Sequence, residues 1–177
     1  RRRDRFQQAL SKVRQEVSYI YGKLTSTKTQ PLGGTAFLSP DREDTPFAGG
    51  TLYSVIPPHK KERTLDVLSG GEQTLAIVAL AFALNSIKPA PIFVLDEIDS
   101  ALDGRNVLQL AEFLSSQTIA KQLLIISHKP NVFSQAETLI GIARREGCKS
   151  EAFRFVLKES RNDDIDDEPT LIIAGSK

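Results

Sequence analysis

Two short apolar runs, each followed at once by polar side chains, constrain the fold of this chain more than any other feature. With the two polar residues that follow each run, they are residues 92–97, IFVLDE, and residues 123–128, LLIISH. Continuous apolar runs of four residues are typical of strands that are buried on both faces, as in a parallel sheet. Between them, apolar residues at 107, 110, 111 and 114 predict a helix over 107–114. This strand–helix–strand series predicts an α/β fold with a mostly parallel sheet covered by helices.

The other elements are predicted from the same kinds of pattern. Apolar residues at spacings of three and four predict a helix over residues 4–24, followed by a polar linker that ends at a proline. Further predicted helices are 68–87 and 130–136, and further predicted strands are 35–38, 51–56, 138–143 and 152–157. Residues 171–174 are either a late strand or merely the end of the polypeptide.

Composition excludes several classes of protein. With one cysteine, Cys148, the chain cannot form an internal disulfide or a cysteine-based metal cluster. No apolar run approaches the roughly 20 residues of a membrane-spanning helix, and the arginine-rich start lacks the apolar stretch of a secretory signal. The formal net charge is only +1, which by itself does not indicate a nucleic-acid-binding protein. Because the chain begins with Arg1 and contains no methionine, we expect it to be a piece of a longer protein.

The helix predicted from residue 68 opens on a motif with two possible roles. Ser69 and Glu72 fit a capping box, which by itself only starts a helix. Gly70 and Gly71 between them allow another group to approach the backbone closely. A helix N-terminus with free amides also favours a phosphate. The motif therefore indicates either a simple cap or a phosphate-binding helix start.

Two adjacent carboxylates, Asp96 and Glu97, follow the first apolar run. Ligands of open α/β sheets gather at the carboxyl ends of strands, and buried acids need a cation or a partner there. One acid of such a pair can hold a Mg²⁺ ion, usually through water. The neighbouring side chain points the other way along the strand, so it can orient or deprotonate an attacking water. The alternative is a pair of solvated acids in a turn.

Two more residues lie near the same predicted sheet edge. Asp103 fits the N-cap of the helix over 104–117. His128 follows the second apolar run, where an imidazole can hydrogen-bond a phosphate oxygen or a water. A lone histidine in such a place is also compatible with an ordinary surface or core residue.

The order and spacing of these motifs within 60 residues is much more specific than any one of them. The series resembles the C-terminal half of an ABC-type ATPase head. In that resemblance, Leu68–Glu72 corresponds to the signature motif, Asp96-Glu97 to the end of Walker B, Ser100–Asp103 to the D-loop and His128 to the switch histidine. Residues 88–103, KPAPIFVLDEIDSALD, are similar to structural maintenance of chromosomes (SMC) ATPases. Residues 34–38, 50–53 and 136–141 resemble the first SMC subunit of the cohesin type in particular.

The resemblance implies a split active site. A G-x-x-x-x-G-K-[ST] loop is absent from this sequence. In SMC proteins that loop belongs to an N-terminal lobe, joined to the C-terminal lobe across a long antiparallel coiled coil. The implied domains are a coiled-coil foot helix and linker over 1–28, an ATPase C-terminal lobe over 29–158 and an acidic, flexible tail over 159–177.

The same resemblance implies cofactors and residue roles. ATP and Mg²⁺ are the expected ligands, with Asp96 at the metal, and two engaged heads enclose the nucleotides. The implied nucleotide-binding residues are Ser69, Gly70, Gly71, Glu72, Asp96 and Asp103, and the implied catalytic residues are Glu97 as general base and His128. The isolated chain is expected to be inactive.

The expected partners are the chain's own N-terminal Walker A lobe, a second SMC head, a kleisin winged-helix domain and, through the complete complex, DNA. A heterodimer of heads is expected, with a homodimer as the alternative, and no membrane is involved. The last predicted strand, 152–157, is the candidate kleisin surface, with ordinary sheet packing as the alternative. The expected role is chromosome segregation, in particular sister-chromatid cohesion. The expected location is on chromosomes in the nucleus, or in the cytoplasm and nucleoid of a prokaryote.

Departures from the family pattern keep two other functions open. Gln73 stands where SMC proteins usually carry lysine, and His128 stands where eukaryotic relatives of this subunit often have leucine. An ATPase head of the double-strand-break repair type is one alternative. The other is a non-catalytic platform for kleisin docking.

Overall fold

The structure is a computed structural model that describes residues 2–118, 121–145, 149–157 and 171–176. Among these residues the chain divides into two units, Arg1–Pro89 and Ala90–Lys177. No helix within the described ranges has the length and apolar character needed to cross a membrane.

The first unit combines two helices with a small antiparallel sheet. Its elements are α1 (Arg2–Thr25), β1 (Thr35–Pro40), β2 (Thr51–Ile56), β3 (Arg63–Thr64), a 3-10 turn (Leu65–Val67) and α2 (Gly70–Asn85). The strands pair in the order β1-β2-β3. The core contains the predicted apolar stripe of α1 from Val13 onward together with the apolar side of α2, including Val17, Leu24, Leu75 and Phe82. This core holds the start of α2, where the signature-like motif lies.

The second unit is built on a five-stranded mixed sheet. Its elements are β4 (Ile92–Asp96), α3 (Gly104–Gln117), β5 (Gln122–Ile126), α4 (Pro130–Phe133), β6 (Thr138–Arg145), β7 (Lys149–Val156) and β8 (Leu171–Ser176). The strand order is β4-β5-β8-β6-β7. All neighbours are parallel except β6 and β7. Residues 171–176 of the predicted tail over 159–177 thus form a strand, while residues 159–170 of that tail lie outside the described residues.

The expectation of one mostly parallel sheet is wrong. The strands form two small sheets, and antiparallel residue pairs slightly outnumber parallel ones among the described residues. The physical reason is the length of the connections. Ten residues join β1 to β2 and three join β6 to β7, whereas a parallel pair needs a crossover of a dozen or more residues.

The prediction that both apolar runs are buried on both faces is also wrong for the first run. Ile92 and Val94 are 55% and 59% exposed, whereas Leu95 is buried. In the second run Leu123 and Ile125 are buried, and Leu124 and Ile126 are half-buried. One face of each strand is therefore better covered than the other, and β4 in addition lies at the edge of the sheet.

Candidate functional site

The start of α2 presents an exposed, fully formed helix cap. Ser69 is the N-cap, with extended backbone, and its Oγ accepts from the amide of Glu72 at 3.5 Å. The Glu72 carboxylate in turn accepts from the Ser69 amide at 3.1 Å and from its Oγ at 2.8 Å. Ser69 and Gly70 are exposed, and Gly71 is half-buried. The predicted capping box is therefore confirmed, and it leaves the two glycines accessible to another molecule.

Glu72 also connects the cap to the loop before it. Lys60 Nζ lies 2.8 Å from Glu72 Oε1. Partial burial opposes ionisation of Glu72, but the hydrogen bonds from Lys60 and Ser69, with the charge of Lys60, outweigh it, so the pKa of Glu72 lies below its ordinary value. Glu72 is therefore a fixed negative charge in the first turn, where the helix dipole favours an anion.

The carboxyl end of β4 carries the predicted acidic pair. Asp96 is the last residue of the strand and lies opposite Ile126 of β5. Glu97 has a φ of +45°, a left-handed conformation that is uncommon for a residue other than glycine. Its amide donates to the Ile126 carbonyl at 2.9 Å, and its own carbonyl accepts from the Ser100 amide at 3.1 Å. Both carboxylates are exposed, so they are available to a cation and to water.

Asp103 is the N-cap of α3, as predicted. Its Oδ1 accepts from the Asn106 amide at 2.8 Å, and its Oδ2 accepts from the Asn106 side-chain amide at 3.4 Å. The residue is exposed. Its carboxylate is thus engaged in starting the helix.

His128 lies two residues beyond the end of β5 and is exposed. Because Asp96 pairs with Ile126 in parallel register, the chain leaves both strands at the same edge of the sheet. The structure therefore brings Asp96, Glu97 and His128 to one edge of the second unit. The start of α2 belongs to the first unit and is a candidate site of its own.

Sequence reasoning missed a buried polar group beside this edge. Asp99 and Ser127 are only 1% and 2% exposed and are joined by a hydrogen bond of 2.6 Å, and Lys129 bonds to the same segment. One signal was present in the sequence. Ser127 continues the alternation of buried Leu123 and Ile125 along β5, and a polar residue at a buried position needs a partner.

The donor set fits a weakly ligated cation rather than a protein cage. Within the described residues no group of three or more His, Cys, Asp or Glu could hold a metal ion. Mg²⁺ keeps several waters and takes one or two carboxylates plus substrate phosphates. An exposed Asp96 at the end of a strand is compatible with that mode of binding.

Comparison with known proteins identifies the family. A family model described as the RecF/RecN/SMC N terminal domain matches residues 7–151. The chain belongs to the SMC family. The predicted membership is thereby confirmed, and the chain has the mixed α/β fold of an SMC head domain with an N-terminal helix.

SMC proteins of several organisms are similar over most of this chain. Structural maintenance of chromosomes protein 1 of Schizosaccharomyces pombe is 44% identical over 145 residues, 81% of this chain and 12% of the relative. Structural maintenance of chromosomes protein 1B of Homo sapiens is 40% identical over 143 residues, 80% of this chain and 11% of the relative. The chain thus spans a small part of the length of these SMC relatives.

Solved SMC heads share the fold. The Pyrococcus furiosus Smc head domain with an extended coiled coil, bound to the C-terminal domain of ScpA, matches with 29% identity and a TM-score of 0.79. The match covers 88% of this chain and 37% of that one. A second structure, from work on ATP-driven dimerization and DNA-stimulated activation of SMC ATPases, has 28% identity, a TM-score of 0.77 and coverage of 88% and 90%.

Proposed function

We propose that this chain is the C-terminal lobe of an SMC ATPase head and supplies one part of a composite site for ATP hydrolysis. The observation that carries this proposal is the sheet edge of the second unit. There the paired ends of β4 and β5 present Asp96, Glu97 and His128 together, all exposed. The exposed cap at Ser69 and the similarity to SMC heads support the same function.

Each residue has a role that its chemistry allows. Asp96 is the residue that would hold Mg²⁺ through water, and a bound Mg²⁺ would supply charge neutralisation at the phosphates. Glu97 takes a proton from the attacking water, and His128 donates a hydrogen bond to the transferring phosphoryl group. Ser69, Gly70 and Gly71 contact the γ-phosphate bound on the opposite head. Glu72 fixes the start of α2 that carries them. Asp103 lies at the interface between heads. The N-terminal lobe brings the Walker A loop.

The test is turnover in the complete head, in which this chain is joined to its N-terminal lobe and paired with a partner head. Glu97→Gln retains the shape of the side chain but removes its basicity. We expect ATP binding to be unchanged and the steady-state rate to fall by at least ~100-fold, the range of general-base catalysis. Glu112→Gln, at an exposed carboxylate on α3, is the matched control and keeps full activity.

Three outcomes would contradict the proposal. Normal turnover by Glu97→Gln would remove Glu97 from its role. Turnover by the pure 177-residue chain would contradict the split site. Ser69→Arg is expected to prevent ATP-dependent head dimerisation but not ATP binding, so unchanged dimerisation would contradict the role of the α2 start.

The domain organisation follows from this assignment. Residues 1–28 are the foot of a coiled coil, and 29–158 are the lobe, to whose second sheet β8 adds a strand. Most residues in the first two turns of α1 are exposed, which supports a helix that continues away from its unit. When a longer chain is shortened so that it begins at residue 29, its association with the other strand of the coil should then fall. Unchanged association would contradict the assignment of residues 1–28 to the coil.

A kleisin winged-helix domain is the proposed partner, and β7 is the proposed contact. In similar structures SMC heads are bound to the C-terminal domain and to the C-winged helix domain of ScpA. β7 is an edge strand, and Phe153 and Phe155 are 37% and 54% exposed on one of its faces. Phe155→Asp should weaken binding of a kleisin fragment at least tenfold in calorimetry. The same loss with Arg154→Asp, on the opposite face, would contradict a contact specific to the phenylalanine face.

Similarity to proteins named structural maintenance of chromosomes protein 1 supports a cohesin-type role, in sister-chromatid cohesion on nuclear chromosomes. DNA is then engaged by the complete complex as heads close on ATP and open on hydrolysis. A genetic test is replacement of the chromosomal gene by a Glu97→Gln allele. Normal cohesion between sister chromatids in such cells would contradict this role.

A further inference from the structure

The second unit contains a buried polar cluster to which the proposed reaction assigns no role. Asp99, Ser127 and Lys129 form it, and below they are called the Asp99 cluster. Ser127 Oγ donates to Asp99 Oδ2 at 2.6 Å, and the Lys129 amide donates to Ser127 Oγ at 3.0 Å. Lys129 Nζ donates to the carbonyl of Asp99 at 2.6 Å and to that of Leu102 at 2.8 Å.

The cluster connects the two segments that carry the proposed catalytic groups. Asp99 follows Glu97 by two residues, and Ser127 and Lys129 flank His128 on either side. The carbonyl of Leu102, to which Lys129 bonds, belongs to the residue just before Asp103. Three side chains thus fasten the loop after β4 to the loop after β5.

The cluster carries a cost that a purely structural contact would avoid. Asp99 is 1% exposed, and its Oδ1 is buried with no hydrogen-bond partner among the described residues. A buried carboxylate with one unpaired oxygen is destabilising relative to an apolar side chain of similar size.

Glu97, two residues before Asp99, is held at a φ of +45°. Strained backbone of this kind persists where the surrounding bonds fix it.

We propose that the Asp99 cluster consists of positioning residues that hold Glu97 and His128 in register with each other and with Asp103. This inference rests on the proposed ATPase function. The carboxylate of Asp99 and the ammonium of Lys129 act through the backbone of the two loops, not on the nucleotide.

The experiment compares three variants in the complete head, with its N-terminal lobe and partner head. Lys129→Met removes the two bonds to carbonyls and keeps the length of the side chain. Ser127→Ala removes the bridge to Asp99, and Lys129→Arg retains a donor in the same place. Lys28→Met, at an exposed lysine of the linker after α1, is the matched control.

The readouts are kcat per ATP-binding site and the KM for ATP. Counting sites by ATP binding removes any loss of folded protein from the comparison. We expect Lys129→Met and Ser127→Ala to lower kcat at least tenfold while KM changes less than twofold. Lys129→Arg should recover at least a third of the lost kcat, and Lys28→Met should match the unmodified head.

The outcomes separate this inference from the function on which it rests. If Glu97→Gln stops turnover but Lys129→Met and Ser127→Ala keep kcat per site, the positioning role is overturned and the ATPase assignment stands. Equal loss in Lys129→Met and Lys129→Arg would also overturn it. If Glu97→Gln keeps full turnover, the proposed function itself fails.

Discussion

Gly33 shows how closely the chain passes α1 after leaving it. Its φ is +67°, in the left-handed region that favours glycine. A Cβ atom at this position would clash with the carbonyl oxygen of Gly22 in the helix and lie 2.9 Å from Thr25 Oγ1. That hydroxyl donates to the Tyr21 carbonyl at 2.6 Å and accepts from the Gly34 amide at 2.7 Å. The turn therefore packs backbone against backbone, with no room for a side chain.

Gly33→Ala should lower the free energy of unfolding of the chain by about 3 kcal/mol, since it combines left-handed strain with a backbone clash. The matched control is Gly104→Ala at the start of α3. A Cβ there meets nothing within 4 Å, and alanine favours the helix by up to about 1 kcal/mol. Urea unfolding of both variants measures the difference. Equal changes in the two would contradict the packing argument.

At the scale of single residues, the sequence predicted local contacts and missed distant ones. The cap of α2 by Ser69 and Glu72 and the cap of α3 by Asp103 follow from spacing rules within one turn. The bonds that Ser127 and Lys129 donate to Asp99 cross 28 and 30 residues of sequence. Such pairs depend on strand register, which a single sequence does not fix.

At the scale of elements, the ion pair at the start of α2 predicts a pH dependence. The pKa of Glu72 is lower in the folded chain, so its contribution to stability is present above its ordinary pKa of about 4.5 and is lost as the pH falls through the folded value. Lys60→Met removes the partner at 2.8 Å. We therefore expect this variant to be less stable than the unmodified chain at pH 7 and equal to it in acid.

Thermal unfolding between pH 7 and pH 3 checks this expectation. Lys61→Met, at the neighbouring exposed lysine, is the matched control and should follow the unmodified chain at every pH. A stability difference for Lys60→Met that stays constant into acid would mean that the lysine acts through packing and not through the charge of Glu72.

Element types were predictable where one periodicity dominates, and strand pairing was not. The long helices α1 and α2 begin and end within two residues of their predicted bounds. β3 was not predicted because a strand of two residues is too short to show a periodicity in the sequence. The apolar runs of β4 and β5 indicated parallel strands correctly. The same reasoning was extended wrongly to the hairpins, in which short connections decide the direction.

At the scale of the whole molecule, β8 is the element that closes the second sheet. Residues 171–174 pair with β5 and residues 172–176 pair with β6, both in parallel. The last described strand along the chain therefore lies in the middle of the sheet. Without it, β4-β5 and β6-β7 would be separate two-stranded ribbons, each with a new open edge, and isolated two-stranded pairs are marginally stable at best.

A chain ending at residue 170 should therefore lose the order of its second sheet, while a chain ending at residue 176 should keep it. Hydrogen exchange measured by mass spectrometry distinguishes them. In the shorter chain we expect the amides of β5 and β6 to exchange at least ~10-fold faster, because the sheet can open locally at a lower free energy. The hairpin of β1 and β2, whose partners all lie within Arg1–Pro89, is the internal reference and should exchange at the same rate in both chains. Equal protection of β5 and β6 in both chains would contradict the closing role of β8, because each two-stranded ribbon would then be stable without it.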